Sequence, residues 1–376
     1  MKRTHLRLTS LEIRGYKSIS FNDPLKLSFG DINILLGANG AGKSNIVSFF
    51  KMMSFMMNGK FQQYVAEAGT SQLFLHYGSK KTPAISAEIR FDGGNGSYDC
   101  YKFCLSNAVP NRLIISTEEI EWKSSNSAIG KPAIKQLKSD FSESALVSDT
   151  DKLSRTMRNL LNGCKVYQFS DSSAESRMRQ SSTVESAHYL QSEANNLASF
   201  LYFLKNNYRA SYDRIVSYVR DVVPKFQDFY LEPERSGYIS LRWIDTCAND
   251  YVFTSYQFSD GSIRFIALAT LLLQPEETMP CVIIVDEPEL GLHPYAIDRL
   301  IEMIKDASLH SQIIMATQSP ALIDGFNAGD VTIIEHDDNT QSSTARKLKE
   351  EDYKAWLNEY TLSELWDKNI IGGRPI

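Results

Sequence analysis

Eight residues, Gly37-Ala38-Asn39-Gly40-Ala41-Gly42-Lys43-Ser44, follow the pattern GxxxxGKS. The chemistry that this spacing serves is phosphate binding. Glycines let backbone N–H groups turn inward at the start of a helix, where the dipole is positive. Asn39, Gly40, Ala41, Gly42 and Asn45 would form the cradle, Lys43 would neutralise the outer phosphates, and the Ser44 hydroxyl would ligate Mg²⁺. A second set is Cys281-Val282-Ile283-Ile284-Val285-Asp286-Glu287, an apolar run ending in two carboxylates. Alone, an acidic strand end is commonly a cap. Beside a phosphate loop, Asp286 is read as a Mg²⁺ ligand and Glu287 as the group that orients or deprotonates an attacking water. A third set, Ser259-Asp260-Gly261-Ser262, opens a helical run and could be a plain N-cap or an anion site.

These sets need elements to hold them. Ile32 to Leu36 is a short, continuously apolar run of the kind found in buried strands, and helical spacing follows from Ser44 to Met57. Short alternating segments between Ala84 and Trp122, broken by Gly, Asn and Pro, predict antiparallel strands. From 124 to 186 the chain is polar, and Ser170 to Ser186 holds seven serines in 17 residues, which reads as an exposed loop or lid. Helical periodicity resumes over 190–208 and 212–222 and stops at Pro224. Strands return after Gly237, with a helix at 262–273 and apolar strands at 281–285, 312–316 and 331–334. The expected organisation is α/β, with a mostly parallel central sheet and an antiparallel β layer. Residues 1–123 and 236–376 form the head, and 124–235 forms an inserted helical arm.

Bulk composition narrows the classes. The formal charge of −5 argues against a chain that coats nucleic acid with its whole surface. Five cysteines, at 100, 104, 164, 247 and 281, fit neither a disulfide framework nor a zinc pattern. No apolar run reaches the roughly 18 residues of a membrane span, and no apolar stretch follows the basic start as a signal peptide would require. A cytoplasmic, reduced setting is expected, without a membrane partner.

The order of the motifs is more specific than any one of them. GANGAGKSN, FSDGS, IIVDEPELGLHP and ATQSP, in that sequence, resemble the P-loop NTPases of the ABC type. The likeness extends to small stand-alone AAA-labelled ATPases related to RecF, to the overcoming-lysogenization-defect proteins and to the heads of structural-maintenance-of-chromosomes proteins. LEIRGYKSI, ANNLASFLYFL and TLSELWDKNIIGG carry it over most of the chain. The resemblance implies ATP and Mg²⁺ as cofactors and ATP hydrolysis as the activity. It implies that Ser259, Asp260, Gly261 and Ser262 form a signature acting in trans on the nucleotide of a second copy, in an ATP-sandwiched homodimer. Glu289, Gly291 and His293 fall in the D-loop. Gln318 stands where a γ-phosphate-sensing histidine is common, and an amide cannot take up charge near neutral pH, so slow hydrolysis is expected. Asp260 stands where transporters usually have glycine. Gln72 and His76 are both candidates for a Q-loop, with packing the better reading of either.

Transport is set aside for want of a membrane segment and because the insertion is long, a GTPase for want of an NKxD motif, and a small-molecule kinase because it would leave the trans signature unexplained. Two remain. One is a DNA-linked ATPase of genome defence against phage, or of repair. The other is a nucleotide-gated scaffold for a separate nuclease or toxin; the stretch after 331 is expected to be too short for the Toprim nuclease of the overcoming-lysogenization-defect proteins. Residues 152–220 hold ten Lys/Arg against five Asp/Glu, so the arm is the place where DNA would be sought. Arg155, Arg158, Arg177, Arg179 and Arg209 are the candidate contacts, against the alternative of a solvated face paired with acids.

Overall fold

The computed structural model describes residues 6–94, 96–124, 132–138 and 142–374, excepting the Asn249 side chain. The remainder, which includes 125–131 and 139–141 of the expected arm, lies outside the described residues. The chain divides into two compact units, 1–165 with 327–376, and 166–326.

The first unit begins with β1 (Arg7–Arg14), β2 (Leu25–Ser28) and β3 (Ile32–Leu36), followed by α1 (Lys43–Met57) and α2 (Phe61–Glu67). Then come β4 (Ala84–Asp92), β5 (Tyr98–Ala108), β6 (Arg112–Lys123), β7 (Ala133–Gln136) and α3 (Lys152–Asn162). Six of these strands pair antiparallel in the order β2-β1-β4-β5-β6-β7. Their alternation puts Leu11, Ile13, Ile89, Phe91, Tyr101 and Phe103 on a buried face. α1 supplies Phe49, Phe50, Met52, Met53 and Met56 to the core. The Phe49 ring meets Tyr16 edge-on at 5.7 Å and stacks on Phe103 at 6.3 Å, each buried aromatic contributing about 1.5–3 kcal/mol of transfer free energy.

β8 (Cys164–Tyr167) leads into the second unit, which contains β9 (Ser182–Thr183), α4 (Leu197–Asn207), α5 (Arg209–Val222), β10 (Phe226–Tyr230), β11 (Tyr238–Ile239), β12 (Arg242–Asp245) and β13 (Ala248–Thr254). α6 (Asp260–Leu272), β14 (Val282–Asp286), α7 (Pro294–Ala307), β15 (Gln312–Thr317) and α8 (Pro320–Ile323) complete it. β14 and β15 run parallel, with Asp286 opposite Ala316. α4 starts seven residues later than the periodicity from Leu190 predicts. Ala194 takes φ +50°, outside the helical region, and the Asn196 amide is spent on the carbonyls of Ser186 and Tyr189.

The chain returns to the first unit with β16 (Val331–Asp337), β17 (Ser342–Lys347), α9 (Glu350–Leu357) and α10 (Leu362–Asp367). β16 pairs parallel with β3, and β17 antiparallel with β16. Both parallel pairs are built from the continuous apolar runs INILL, VIIVD, QIIMAT and VTII, as expected of strands covered on both faces. Among the described residues no helix is long and apolar enough to cross a membrane.

Candidate functional site

The phosphate-loop pattern lies between β3 and α1. Gly37 is buried, and a Cβ there would overlap the Ile334 carbonyl of β16. Gly40 takes φ +82° and Gly42 φ +111°, both left-handed. A Cβ on Gly42 would also overlap the Ser343 hydroxyl of β17. The loop is therefore glycine-rich partly because neighbouring chain passes against it. Ser343 Oγ donates to Ala41 O at 2.6 Å and lies 2.8 Å from Ser18 Oγ, while Asn45 Nδ2 donates to Ser18 Oγ at 2.7 Å. Ser18 and Ser343 thus brace the loop, and Asn45 joins them. Sequence reasoning missed both serines, since only the fold brings residues 325 positions apart together.

Lys43 is 5% exposed, and its ammonium donates to Gly37 O at 2.7 Å and Ala38 O at 2.9 Å, spanning the loop. Ser44 is exposed in the first turn of α1. Among the described residues no side chain caps this helix start, and no acidic residue in its first turn offsets the positive end. The Lys17 ammonium donates to Ser48 Oγ of α1 at 2.8 Å, and burial lowers its pKa. Gln72 bonds Asn107 and the Ser79 N–H, and His76 Nδ1 lies 2.9 Å from Lys17 O. Gln72 thereby holds its own turn together.

In the second unit the C-terminal ends of β14 and β15 lie level. Asp286 ends β14, half-buried, and Glu287 follows at φ +46°, an uncommon conformation for a side chain of that size. Its N–H is held by Ala316 O at 2.8 Å, and its Oε1 accepts from Gln318 Nε2 at 3.2 Å. Glu289 is buried, accepts from Thr317 Oγ1 at 2.5 Å, and has a pKa raised first by burial and then by the nearby Glu287 charge. Gly291 takes φ +75°. His293 caps α7, its ring accepting from Tyr295 N–H at 3.3 Å.

Ser259 is the N-cap of α6, with its hydroxyl accepting from Ser262 N–H at 3.1 Å and 2.8 Å from Ser262 Oγ. Gly261 is as closely approached: a Cβ there would come 2.5 Å from Gly291 O. The structure thus sets the 259–262 turn against the 289–291 loop, backbone to backbone. Asp260 accepts from Arg179 at 3.0 Å.

Arg179 requires a correction. It is 5% exposed, with its guanidinium N–H groups spent on Ser172 O, Ser173 O, Ser255 O, Phe258 O and Asp260, so it cannot reach an external phosphate. Arg158 donates to Val147 O at 2.7 Å, Arg177 pairs with Glu193 at 2.8 Å, and Arg209 pairs with Asp213 at 2.9 Å. Arg155 stands exposed on α3.

The fold is that of a P-loop ATPase-type domain similar to the heads of Smc proteins. A family model described as "AAA domain, putative AbiEii toxin, Type IV TA system" matches residues 32–324, and the chain belongs to that family. Among solved structures, an Smc head bound to the C-winged helix domain of ScpA superposes with a TM-score of 0.62 at 17% identity, over 92% of this chain and 99% of that one. An Smc head with an extended coiled coil, bound to the C-terminal domain of ScpA from Pyrococcus furiosus, gives 0.60 at 15% identity, over 94% and 99%. No curated protein matches the chain.

Proposed function

We propose that the chain binds Mg-ATP at Asn39–Asn45, hydrolyses it slowly, and closes into an ATP-sandwiched homodimer in which Ser259–Ser262 of each copy completes the other's site. The observation that carries this reading is the Glu287–Gln318 pair. A carboxylate at a strand's C-terminal end, held by an amide on the adjacent strand, suits the placing of a water for attack on phosphate. Glu287 would accept the water's proton, and Gln318 would fix the carboxylate's direction without contributing charge. The Ser44 hydroxyl and the Asp286 carboxylate are hard oxygen donors of the kind Mg²⁺ takes. When bound, that ion would neutralise phosphate charge.

The output would be closure and opening of the dimer in the cytoplasm, transmitted through residues 124–235, the inserted arm between the head parts 1–123 and 236–376. Of the two readings of that output, the nucleotide-gated scaffold gains support from the arm, because four of its five candidate arginines already have protein partners. The ScpA domains on the similar heads support a protein partner. A DNA-linked defence or repair role would then run through that partner. Light scattering of the Glu287→Gln protein is the test: a dimer with Mg-ATP and a monomer without it are expected, and a monomer in both conditions sinks the sandwich. Lys43→Ala should abolish the response.

A further inference from the structure

The serine-rich segment is an irregular and largely exposed loop, as expected, but it is anchored: Ser172, Ser176, Met178 and Arg179 are buried, as is Phe169 just before it. Its serines serve as turn hydrogen-bonders: Ser176 Oγ donates to Asp171 O at 2.7 Å, and Ser173 Oγ to Asp171 Oδ1 at 2.7 Å.

Two guanidinium groups tie this strap down. Arg179, within it, donates to Ser172 O (3.1 Å) and Ser173 O (3.2 Å) on the strap side, and to Ser255 O, Phe258 O (3.2 Å) and Asp260 Oδ1 (3.0 Å) on the signature side. Arg264, on α6, donates to Phe169 O (2.8 Å) and Ser170 O (2.7 Å) of the strap and to Leu290 O of the D-loop. Each guanidinium therefore holds the strap with some of its N–H groups and a turn of the candidate site with the others. Five donors in a fixed fork suit a group that must hold several carbonyls at once.

Burying two cations mainly against backbone carbonyls is a poor way to gain stability, because apolar side chains of similar volume usually do as well or better. What the arrangement does specify is geometry. It fixes the 255–260 turn and the Leu290 carbonyl to one strap, at the place where Gly261 and Gly291 already touch. It also accounts for aspartate at 260: the carboxylate is an acceptor for Arg179, and the pair cancels the negative charge that Asp260 would otherwise bring to an anion-facing helix start.

We propose that Arg179 and Arg264 are positioning residues that make 169–179 a strap locking the signature turn to the D-loop, so that both are presented to the opposing copy's nucleotide as one rigid piece. This rests on the reading that Ser259–Ser262 acts in trans. Arg179→Met should then lower kcat about tenfold, the weight of one or two charge-assisted hydrogen bonds, while leaving the affinity for Mg-ADP, which the phosphate loop reads alone, unchanged. Adding Asp260→Gly to Arg179→Met should recover part of the loss, since it removes the carboxylate left without its cation. Should Arg179→Met not fold, Arg179→Lys, which keeps the charge and loses the fork, is measured in its place.

The deciding experiment uses mixed dimers of two differently tagged copies. With Lys43→Ala on one copy and Arg179→Met on the other, one site keeps both an intact phosphate loop and an intact strap, and about half the wild-type rate is expected, since one of two sites survives. With both substitutions on the same copy, both sites are damaged and the rate should fall about tenfold further. A general loss of stability would give no such asymmetry. Ser259→Arg in place of Arg179→Met is the control. Asymmetry in the control but not with Arg179→Met overturns the strap. No asymmetry in the control overturns the trans reading, and the strap with it.

Discussion

Gln318 Nε2 donates to Glu287 Oε1 at 3.2 Å across the ends of β14 and β15, while the Glu287 backbone is held at φ +46°. An uncommon backbone conformation beside an oriented carboxylate is the combination expected where geometry is kept for chemistry. Because the partner is an amide, Gln318 itself brings no titrating group to the pair.

Gln318→Ala should therefore lower kcat about tenfold to a hundredfold through misplacement of the carboxylate, with KM for ATP little changed. Gln318→His should give kcat a new limb between about pH 6 and 8, where imidazole titrates. The wild-type profile should lack that limb. Steady-state ATPase rates from pH 5.5 to 8.5 check both, and identical profiles for wild type and Gln318→His would remove Gln318 from the site.

Glu289 supplies a prediction about stability. Its folded pKa is raised by burial, so the unfolded chain loses this proton first as pH rises. The stability tied to the neutral carboxyl is full below the ordinary glutamate value of about 4.3, and is lost as pH climbs through the raised folded value. Glu289→Gln keeps a carbonyl to accept from Thr317 and has no such dependence. The difference in urea midpoint, Glu289→Gln minus wild type, should grow from pH 4.5 upward and then level off. Parallel midpoints across that range would show that burial does not raise the Glu289 pKa.

How far the sequence carries depends on the range of each interaction. The glycine pattern, the run VIIVD ending in Asp286 and Glu287, and the helix start at Ser259 are local, so turn chemistry and periodicity place them to within a residue or two. The brace of Ser18 on Ser343 is not local, and an isolated serine carries no sign of it. Arg179 was misjudged for a related reason. Charge counting treats every arginine as solvent-facing, and only packing shows that five backbone and side-chain oxygens converge on this one. The late start of α4 has the same origin: leucine periodicity from 190 is helical, but Ala194 leaves helical space so that Asn196 can tie the turn before it.

Ser343 should matter to nucleotide binding although it lies 302 residues from Ala41 of the loop it supports. Ser343→Ala removes the donor to Ala41 O and the contact with Ser18, leaving a buried carbonyl of the loop without its partner. A cost of about 1–1.5 kcal/mol on the loop's geometry corresponds to roughly a tenfold weaker Kd for Mg-ATP. The β16–β17 pairing does not depend on that hydroxyl, so Tm should move by only a few degrees. Calorimetric titration and a thermal melt on the same preparation separate the two effects, and an unchanged Kd would count against the brace.

The basic residues of 152–220 make the last prediction, about DNA. A protein that binds duplex non-specifically does so by trading counterions for free lysine and arginine side chains, and its affinity falls by roughly 0.9 log unit per log unit of salt for each phosphate neutralised. Arg177 and Arg209 would first have to leave Glu193 and Asp213, Arg158 would have to leave the Val147 carbonyl, and Arg179 is buried. Of the five candidates only Arg155 is exposed without such a commitment, and one phosphate contact gives a slope near 1 and little affinity. Fluorescence anisotropy of a labelled duplex at 50 and 150 mM salt should thus show binding weaker than about 10 μM, the weak part of the non-specific range, with no stimulation of ATPase rate. A slope of about 4 or more, lowered by Arg177→Glu, would mean that these ion pairs open to receive phosphate, and would return the protein to a DNA-linked reading. The expected weak, unstimulated response would favour the proposed closure of a dimer as the signal, to be read by another protein.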